Sequence, residues 1–97
     1  MSRVSGKPYF VYVLWSETGK RFYIGISESP AERLAQHNSG DHRGWTSRHR
    51  PWALVLSEPY DDYARARERE LDLKAQKGGT GFFKKTGLDP MRFGRGS

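Results

Sequence analysis

Two apolar segments separated by a short polar turn open the patterned part of the chain. The first covers about Tyr9–Trp15 and the second about Arg21–Ser27, and both are rich in aromatic and β-branched residues. Such segments favour β-strands, and the polar stretch Ser16–Gly19 between them is typical of a turn. The pattern therefore predicts an antiparallel hairpin, preceded by a flexible lead-in over residues 1–7.

The length of the turn predicts which residues of the hairpin face each other. If the loop contains the four residues Ser16–Gly19, Trp15 pairs with Lys20 and Tyr12 lies opposite Tyr23. Directly opposed residues have Cβ atoms about 5 Å apart. This register predicts that two phenols lie side by side.

Side chains alternate between the two faces of a strand. In the second strand Phe22, Ile24 and Ile26 share one face, whereas Tyr23 and Gly25 share the other. Tyr23 is therefore predicted to point away from the most apolar face. On its side of the strand, a glycine leaves the backbone open to a ligand.

The clearest local signal in the chain is Ser29-Pro30-Ala31-Glu32. Serine suits the N-cap, proline suits the first helical position, and the glutamate completes a capping box. We expect the first helix to run from Pro30 to about Asn38 and to stop near Ser39-Gly40. The polar segment over residues 41–51 that follows is predicted to be a loop.

A short apolar run at Trp52–Ser57 predicts a third strand, which is apolar on both faces and is therefore expected at the centre of the sheet. Asp61-Asp62 then offers an N-cap for a second helix over about Tyr63–Lys77. A short third helix is predicted at Thr80–Thr86. From Gly87 onward we expect a loose basic tail.

These elements predict one α/β domain of the α+β type over residues 8–86: a three-stranded, mostly antiparallel sheet flanked by two main helices and a short C-terminal helix. A chain of 97 residues supports one modest core. The absence of cysteine excludes disulfides and thiolate zinc sites. No apolar run approaches the roughly 20 residues of a membrane helix, and the first residues lack an apolar secretory segment. We therefore expect a cytoplasmic protein.

The charge of the chain favours a polyanionic partner, since the net charge is +6 and the pI is about 9.9. Acidic residues outnumber basic ones only in the segment over residues 51–76, which lies between two basic segments. Either this segment holds a cation while its flanks contact phosphates, or its helix carries mixed, solvated charge. The charge pattern alone leaves both interpretations open.

Cations and an aromatic residue alternate in the segment before the third strand. Such a loop suits contacts with a phosphate backbone and stacking on an exposed base, although a solvated loop has the same composition. The predicted nucleic-acid contacts are Arg43, Trp45, Arg48, His49 and Arg50, together with Lys84 and Lys85 near the C-terminus. The three histidines do not have the spacing of a common zinc site.

Arg33 and His37 lie at positions i and i+4 of the first predicted helix. They could form its solvated side, with Ala31, Leu34 and Ala35 as the buried stripe. Beside two phenols they fit another role, because a guanidinium binds two phosphate oxygens at once and stays protonated. His37 would then contact phosphate or orient a water molecule.

The second helix offers two carboxylates, Glu68 and Glu70. Glu68 falls on a stripe with Ala64, Leu71 and Ala75, whereas Glu70 falls on a stripe with Ala66 and Leu73. Helical periodicity does not choose between the two stripes. One carboxylate, with water and a substrate phosphate, is an ordinary way to hold Mg²⁺.

The motifs Phe10-Val11-Tyr12 and Tyr23-Ile24-Gly25, followed by Arg33, His37 and the run Ala64–Glu68, resemble the GIY-YIG nuclease family. The resemblance covers about residues 8–77 and is greatest to the small stand-alone bacterial branch, which is also similar to the nuclease subunit of eukaryotic structure-specific endonucleases. The chain departs from the family in its first motif, where Phe10 stands in place of glycine.

The resemblance implies a Mg²⁺- or Mn²⁺-dependent endonuclease that cuts DNA. It implies that Tyr12 or Tyr23 helps to deprotonate or position the attacking water, that Arg33 stabilises charge on the scissile phosphate, and that Glu68 binds the metal. A partner protein or a second copy of the chain would supply specificity. The competing hypotheses are a non-catalytic nucleic-acid-binding module with the same fold and an RNA nuclease.

Overall fold

A computed structural model describes residues 8–39, 48–77 and 79–93. Its elements in chain order are β1 (Tyr9–Ser16), β2 (Arg21–Ser27), α1 (Pro30–Ser39), β3 (Trp52–Tyr60), α2 (Tyr63–Ala75), α3 (Thr80–Thr86) and α4 (Pro90–Phe93). The three strands form one antiparallel sheet in the order β2-β1-β3. The predicted α+β fold class is confirmed.

The central strand of the sheet is β1, so the prediction that the third strand is central was wrong. All residues from Val11 to Ser16 are buried, whereas Ala53, Leu54 and Pro59 of β3 are exposed. Proline cannot donate a hydrogen bond to a neighbouring strand, so it is tolerated in an edge strand. The apolar run of β3 reflects contacts on its two faces and gives no information about neighbours in the sheet.

The hairpin register differs by two residues from the predicted one. The loop contains Glu17–Lys20, and its last residue has a left-handed φ of 53°. Tyr12 therefore pairs with Gly25, and Tyr23 pairs with Leu14. Because side chains alternate with a period of two, this shift leaves both tyrosines on the same face, where they are diagonal neighbours.

Each face of the sheet has its own buried cluster. One face packs against α2, α3 and α4, and its cluster contains Val11, Val13, Trp15, Phe22, Ile24, Ala66, Leu73, Phe82 and Phe93. The other cluster contains Tyr12, Leu14 and Trp52, with Tyr23 and Leu34 of α1 packed against it. The two tyrosines therefore lie on the face that α1 covers.

The loose tail predicted from Gly87 is instead folded over the residues that the structure describes. Gly87 ends α3 with a φ of 78°, and its N–H donates to the Phe83 carbonyl. The short α4 follows, and its Phe93 is buried with its ring centroid 5.5 Å from that of Trp15. Residues 94–97 lie outside the described part, as does the predicted lead-in over residues 1–7.

The helix starts follow the predicted capping residues, with one difference. Asp62 caps α2 by accepting from the Ala64 N–H at 2.9 Å. Ser29 accepts from the Glu32 N–H at 3.4 Å, but its own N–H donates to the Ser27 hydroxyl. In a capping box the Glu32 side chain would accept from the Ser29 N–H. Here the Ser27 hydroxyl accepts from it instead. None of the helices in the described ranges is long and apolar enough to cross a membrane.

Candidate functional site

Four aromatic rings meet on the face of the sheet that α1 covers. The ring centroids of Tyr12 and Tyr23 are 6.1 Å apart, and the His37 ring lies 4.6 Å from that of Tyr23. The ring centroid of Trp52, at the start of β3, lies 6.3 Å from that of Tyr23. Strands β1, β2 and β3 and helix α1 each contribute one ring to this group.

Gly25 makes room for the Tyr12 ring. Tyr12 is fully buried, and a Cβ atom at position 25 would lie 2.7 Å from its hydroxyl oxygen and 2.8 Å from Cζ. No side chain fits at that distance. The space that the glycine was predicted to leave open to a ligand is therefore filled by a tyrosine of the neighbouring strand.

The buried Tyr12 hydroxyl has an unusual electrostatic environment. Burial raises the pKa of this phenol, the Arg33 guanidinium lowers it, and Tyr23 raises it, so that the pKa lies above its ordinary value. Neither neighbour completes a hydrogen bond of normal geometry with the hydroxyl, and Arg33 Nε is likewise buried without one among the described residues. Tyr12 is therefore neutral at neutral pH, with a cation close to its oxygen.

Helix α1 turns its charged side towards the sheet. His37 is only 2% exposed and Arg33 is half-buried, whereas Ala31 and Ala35 are exposed. The alternative interpretation, in which Arg33 and His37 form the solvated side of the helix, was wrong, although Leu34 of its predicted buried stripe does pack against the sheet. The structure instead brings the predicted Tyr12, Tyr23, Arg33 and His37 to one face.

Asn38, which the sequence analysis missed, positions the end of α1 through two hydrogen bonds. The Asn38 side chain donates to the Trp52 carbonyl at 3.0 Å and accepts from the Trp52 N–H at 2.7 Å. Its amide thus pairs with a backbone residue at the start of β3. The only signal in the sequence is an asparagine directly after His37 in a helix, where asparagine has low propensity.

The hairpin turn holds the segment that precedes β3. The buried Ser16 hydroxyl donates to the His49 carbonyl at 2.6 Å, and the Thr18 hydroxyl lies 3.3 Å from the Arg50 carbonyl, to which it donates. Arg48 and Arg50 are exposed beside this contact. Two predicted phosphate contacts are therefore anchored at the turn end of the sheet.

Of the other predicted nucleic-acid contacts, His49 belongs to the segment that the turn holds, and the two lysines lie elsewhere. Arg43 and Trp45 fall outside the described residues. Lys84 lines a cleft between α3 and α4, and Lys85 forms an ion pair with Asp72 at 3.2 Å. Neither lysine lies on the face that carries the two tyrosines.

The structure distinguishes the two carboxylates of α2. Glu68 is exposed and lines an open groove with Tyr60 and Asp72, among other residues. Glu70 is 6% exposed, and Arg67 and Lys74 donate to its two oxygens at 2.7 and 3.0 Å. The inner stripe of the helix is therefore the one that contains Glu70.

Among the described residues, a metal site would have to use fewer than three histidine or acidic side chains. Within the three described ranges, no group of three or more histidine or acidic side chains could hold a metal ion. Mg²⁺ in phosphoryl-transfer sites keeps several water ligands and needs only one or two carboxylates with a substrate phosphate. Either Glu68 or Glu70 fits this description. Glu70 would first have to give up its ion pair with Arg67 or Lys74.

Comparison with known proteins supports the resemblance seen in the sequence. A family model of the GIY-YIG catalytic domain matches residues 8–82. The chain is 44% identical over 54 residues to structure-specific endonuclease subunit slx1 of Xenopus laevis, an alignment that covers 50% of this chain and 19% of the relative. It is 32% identical over 66 residues to a UPF0213 protein of Staphylococcus aureus (strain Mu3), covering 68% of this chain and 79% of the relative.

The two kinds of relative differ in how much of their length this chain accounts for. The chain spans 19% of the Xenopus endonuclease subunit and 21% of the mouse one. It spans most of the UPF0213 proteins. No solved structure matches the chain.

Proposed function

The chain belongs to the GIY-YIG family, and we propose that it is an endonuclease that hydrolyses phosphodiester bonds in DNA with a bound divalent metal ion. The observation that carries this proposal is the convergence of Tyr12, Tyr23, Arg33 and His37 on one face of the sheet. These side chains supply proton-transfer groups and a fixed positive charge, which are the protein's part in cleaving a phosphodiester bond.

Each of the four residues has a role that its surroundings support. Arg33 binds the scissile phosphate and stabilises the charge that builds up in the transition state. Tyr23 is partly exposed, so its hydroxyl can reach the attacking water, whereas Tyr12 is fully buried and neutral. The Tyr12 hydroxyl lies close enough to Arg33 and Tyr23 to interact with them electrostatically. His37 packs against the Tyr23 ring and fixes its orientation.

The metal, Mg²⁺ or Mn²⁺, would polarise the phosphate and stabilise the leaving oxygen when bound. The family resemblance implies Glu68 as its ligand. Burial favours Glu70 as an alternative ligand, because this residue lies on the stripe of α2 that packs against the sheet. Glu68 instead lines the groove that contains Tyr60 and Asp72.

Variants of the two carboxylates separate these assignments. If Glu70 holds the metal, Glu70→Gln abolishes cleavage and Glu68→Gln retains most of it, and the reverse result assigns the metal to Glu68. Glutamine preserves the size of the side chain, and thermal melts of both variants report any loss of folding. Cleavage that persists in EDTA, or that both variants retain, would contradict a metal on α2.

The target of the enzyme is proposed from its relatives. Relatives that share this domain are named as subunits of structure-specific endonucleases. We therefore propose that branch points or strand ends in DNA are its substrates, and that a protein partner or a second copy supplies further specificity.

A substrate panel tests the proposed function. Purified protein is incubated with nicked, flapped, branched, duplex and single-stranded DNA in Mg²⁺, in Mn²⁺ or in EDTA, and a matched RNA set is run beside them. The expected result is metal-dependent cleavage that is fastest on flapped or branched DNA. Tight binding with no cleavage on any substrate would favour a binding module, and preferential cleavage of RNA would favour an RNA nuclease.

A further inference from the structure

Asn38 joins the helix that carries Arg33 and His37 to an edge strand of the sheet. Its side-chain amide donates to the Trp52 carbonyl at 3.0 Å and accepts from the Trp52 N–H at 2.7 Å. In the described part of the chain β3 lies at the edge of the sheet, so the Asn38 amide takes the position at Trp52 that a further strand would have. Helix α1 is thereby bonded to the sheet at a residue 14 positions later in the sequence.

The contact requires both a donor and an acceptor at the end of a short side chain. A carboxamide has both, whereas the carboxylate of aspartate has the same size but only accepts. Alanine would leave the backbone N–H and carbonyl of the buried Trp52 without these two bonds. Because the donor and the acceptor lie side by side, the pair of bonds restrains both the rotation of α1 and its distance from β3.

This restraint acts on two of the candidate catalytic groups. His37 directly precedes Asn38, and its buried ring lies 4.6 Å from that of Tyr23. Arg33 lies between one and two turns earlier on the same helix. Since a short helix moves as a rigid element, a shift at Asn38 would move all three side chains relative to the tyrosines of the sheet.

The strand that Asn38 holds also follows the predicted phosphate contacts. Arg50 lies two residues before Trp52, and the carbonyls at positions 49 and 50 accept from the hydroxyls of Ser16 and Thr18. The segment over residues 49–52 is therefore bonded to the hairpin turn at its start and to α1 at its end. This arrangement sets the distance between the predicted phosphate contacts and α1.

We propose that Asn38 is a positioning residue for phosphodiester cleavage, which holds Arg33 and His37 against the two tyrosines and at a set distance from the phosphate contacts. The inference rests on the proposed nuclease function and adds to it the residue that joins the two parts of the site. The geometry of such a site is demanding, because a misplacement of about 1 Å can cost roughly 10²-fold in rate.

Single-turnover cleavage and DNA affinity of two variants test this role. Asn38→Ala removes both hydrogen bonds, and Asn38→Asp keeps the size of the side chain but turns an oxygen towards the Trp52 carbonyl. The rate at saturating DNA should fall about tenfold or more in Asn38→Ala and further in Asn38→Asp. Affinity measured in EDTA should stay within a few-fold of wild type, and an equal loss of affinity and rate would overturn the inference.

Ala35→Asp is the matched control for charge, because it adds a carboxylate at an exposed position of the same helix. Its rate at saturating DNA should equal that of wild type. The inference is overturned if Asn38→Ala cleaves at the wild-type rate, or if Ala35→Asp loses as much rate as Asn38→Asp. All rates are compared at a temperature at which thermal melts show the variants to be folded, and Asn38→Asp alone is used if Asn38→Ala does not fold.

NMR gives a second readout that a loss of stability alone would not change. Nuclear Overhauser effects between the His37 and Tyr23 rings report the placement of α1 on the sheet. They should be clear in wild type and in Ala35→Asp and weaker in the Asn38 variants. Equal intensities in all of these proteins would mean that α1 keeps its place without Asn38, which would overturn the inference.

The failure of this inference can be distinguished from that of the proposed function. If wild type cleaves DNA and the Asn38 variants match it in rate and in NMR, only the role of Asn38 is lost. If wild type cleaves no substrate of the panel, the proposed function fails, and the role of Asn38 fails with it.

Discussion

The burial of the Tyr12 hydroxyl is difficult to explain by its contribution to stability alone. The hydroxyl is fully buried, has no hydrogen bond of normal geometry in the described structure, and lies against the backbone of Gly25. Leaving a buried donor unsatisfied costs about 1–3 kcal/mol. A side chain that is unfavourable for stability and adjacent to Arg33 is consistent with a role in function.

Tyr12→Phe is therefore expected to increase stability while it lowers activity. Removing the hydroxyl should raise the free energy of unfolding at pH 7 by about 1 kcal/mol, because the ring and its packing on Gly25 remain. Urea denaturation measures the first effect and a nuclease assay the second. A variant that is less stable than wild type would mean that the hydroxyl has a partner.

The same hydroxyl predicts a pH dependence of stability. Because burial raises the Tyr12 pKa in the folded state, the unfolded chain loses this proton first as the pH rises past about 10. The folded protein should therefore lose stability above that pH. Urea midpoints at pH 8 and 10.5 should fall less for Tyr12→Phe than for wild type, and equal falls would contradict the raised pKa.

At the scale of residues, the sequence predicted which side chains form the site better than it predicted the contacts between them. The helical spacing placed Arg33 and His37 on one side of α1 but left open whether that side faces the sheet. The strand alternation correctly placed Tyr23 on the face away from the larger apolar cluster. The contact between Tyr12 and Gly25 depends on the hairpin register. That register follows from the left-handed residue at the end of the turn, which is a lysine that the sequence gives no reason to place there.

At the scale of elements, the bounds of β2 and α3 were predicted to the residue, while the strand order and α4 were not. Strand order depends on contacts between distant segments, and an apolar run indicates burial without indicating its neighbours. Helix α4 has four residues, which is too short for a periodic pattern. Its single strong signal is Phe93, an aromatic residue in a segment otherwise typical of a tail.

Phe93 should contribute substantially to stability, because its ring packs against Trp15 and Phe22. Phe93→Ala is expected to lower the free energy of unfolding by about 3 kcal/mol, within the range for truncated core aromatics. Met91→Ala is the control, since Met91 is 90% exposed on the same helix. Urea denaturation that gives equal losses for both variants would mean that α4 does not pack against the sheet.

At the scale of the whole molecule, charge is separated along the sheet. Strand β3 begins opposite Ser16 at the hairpin-turn end and finishes opposite Tyr9 at the other end. Arg48 and Arg50 precede β3, whereas Asp61 and Asp62 follow it. The sequence predicted a basic and an acidic segment, but only the strand pairing places them at opposite ends.

This polarity predicts how DNA binding responds to salt. Replacing Arg48 and Arg50 with alanine should flatten the slope of log K against log[salt] by about 2, because each neutralises one backbone phosphate. Affinity should fall similarly for unrelated DNA sequences. Fluorescence anisotropy over a salt series measures both effects. An affinity that does not depend on salt would indicate a different partner.

The central claim is that Tyr23 and Arg33 act on the transition state of phosphodiester cleavage, and separate measurements of binding and single-turnover rate test it most directly. Tyr23→Phe keeps the ring against His37 but removes the hydroxyl, and loss of a proton-transfer group costs roughly 10²–10⁴-fold in rate. Arg33→Ala should cause a comparable loss through charge stabilisation.

Both variants should bind DNA within a few-fold of wild type and melt at nearly the same temperature, because Tyr23 and Arg33 are only partly buried. Tyr63→Phe, at a half-exposed tyrosine of α2, should change neither quantity. The account predicts a large fall in single-turnover rate with little change in affinity for Tyr23→Phe and Arg33→Ala. Wild-type cleavage rates in both variants, or a loss of affinity as large as the loss of rate, would contradict it.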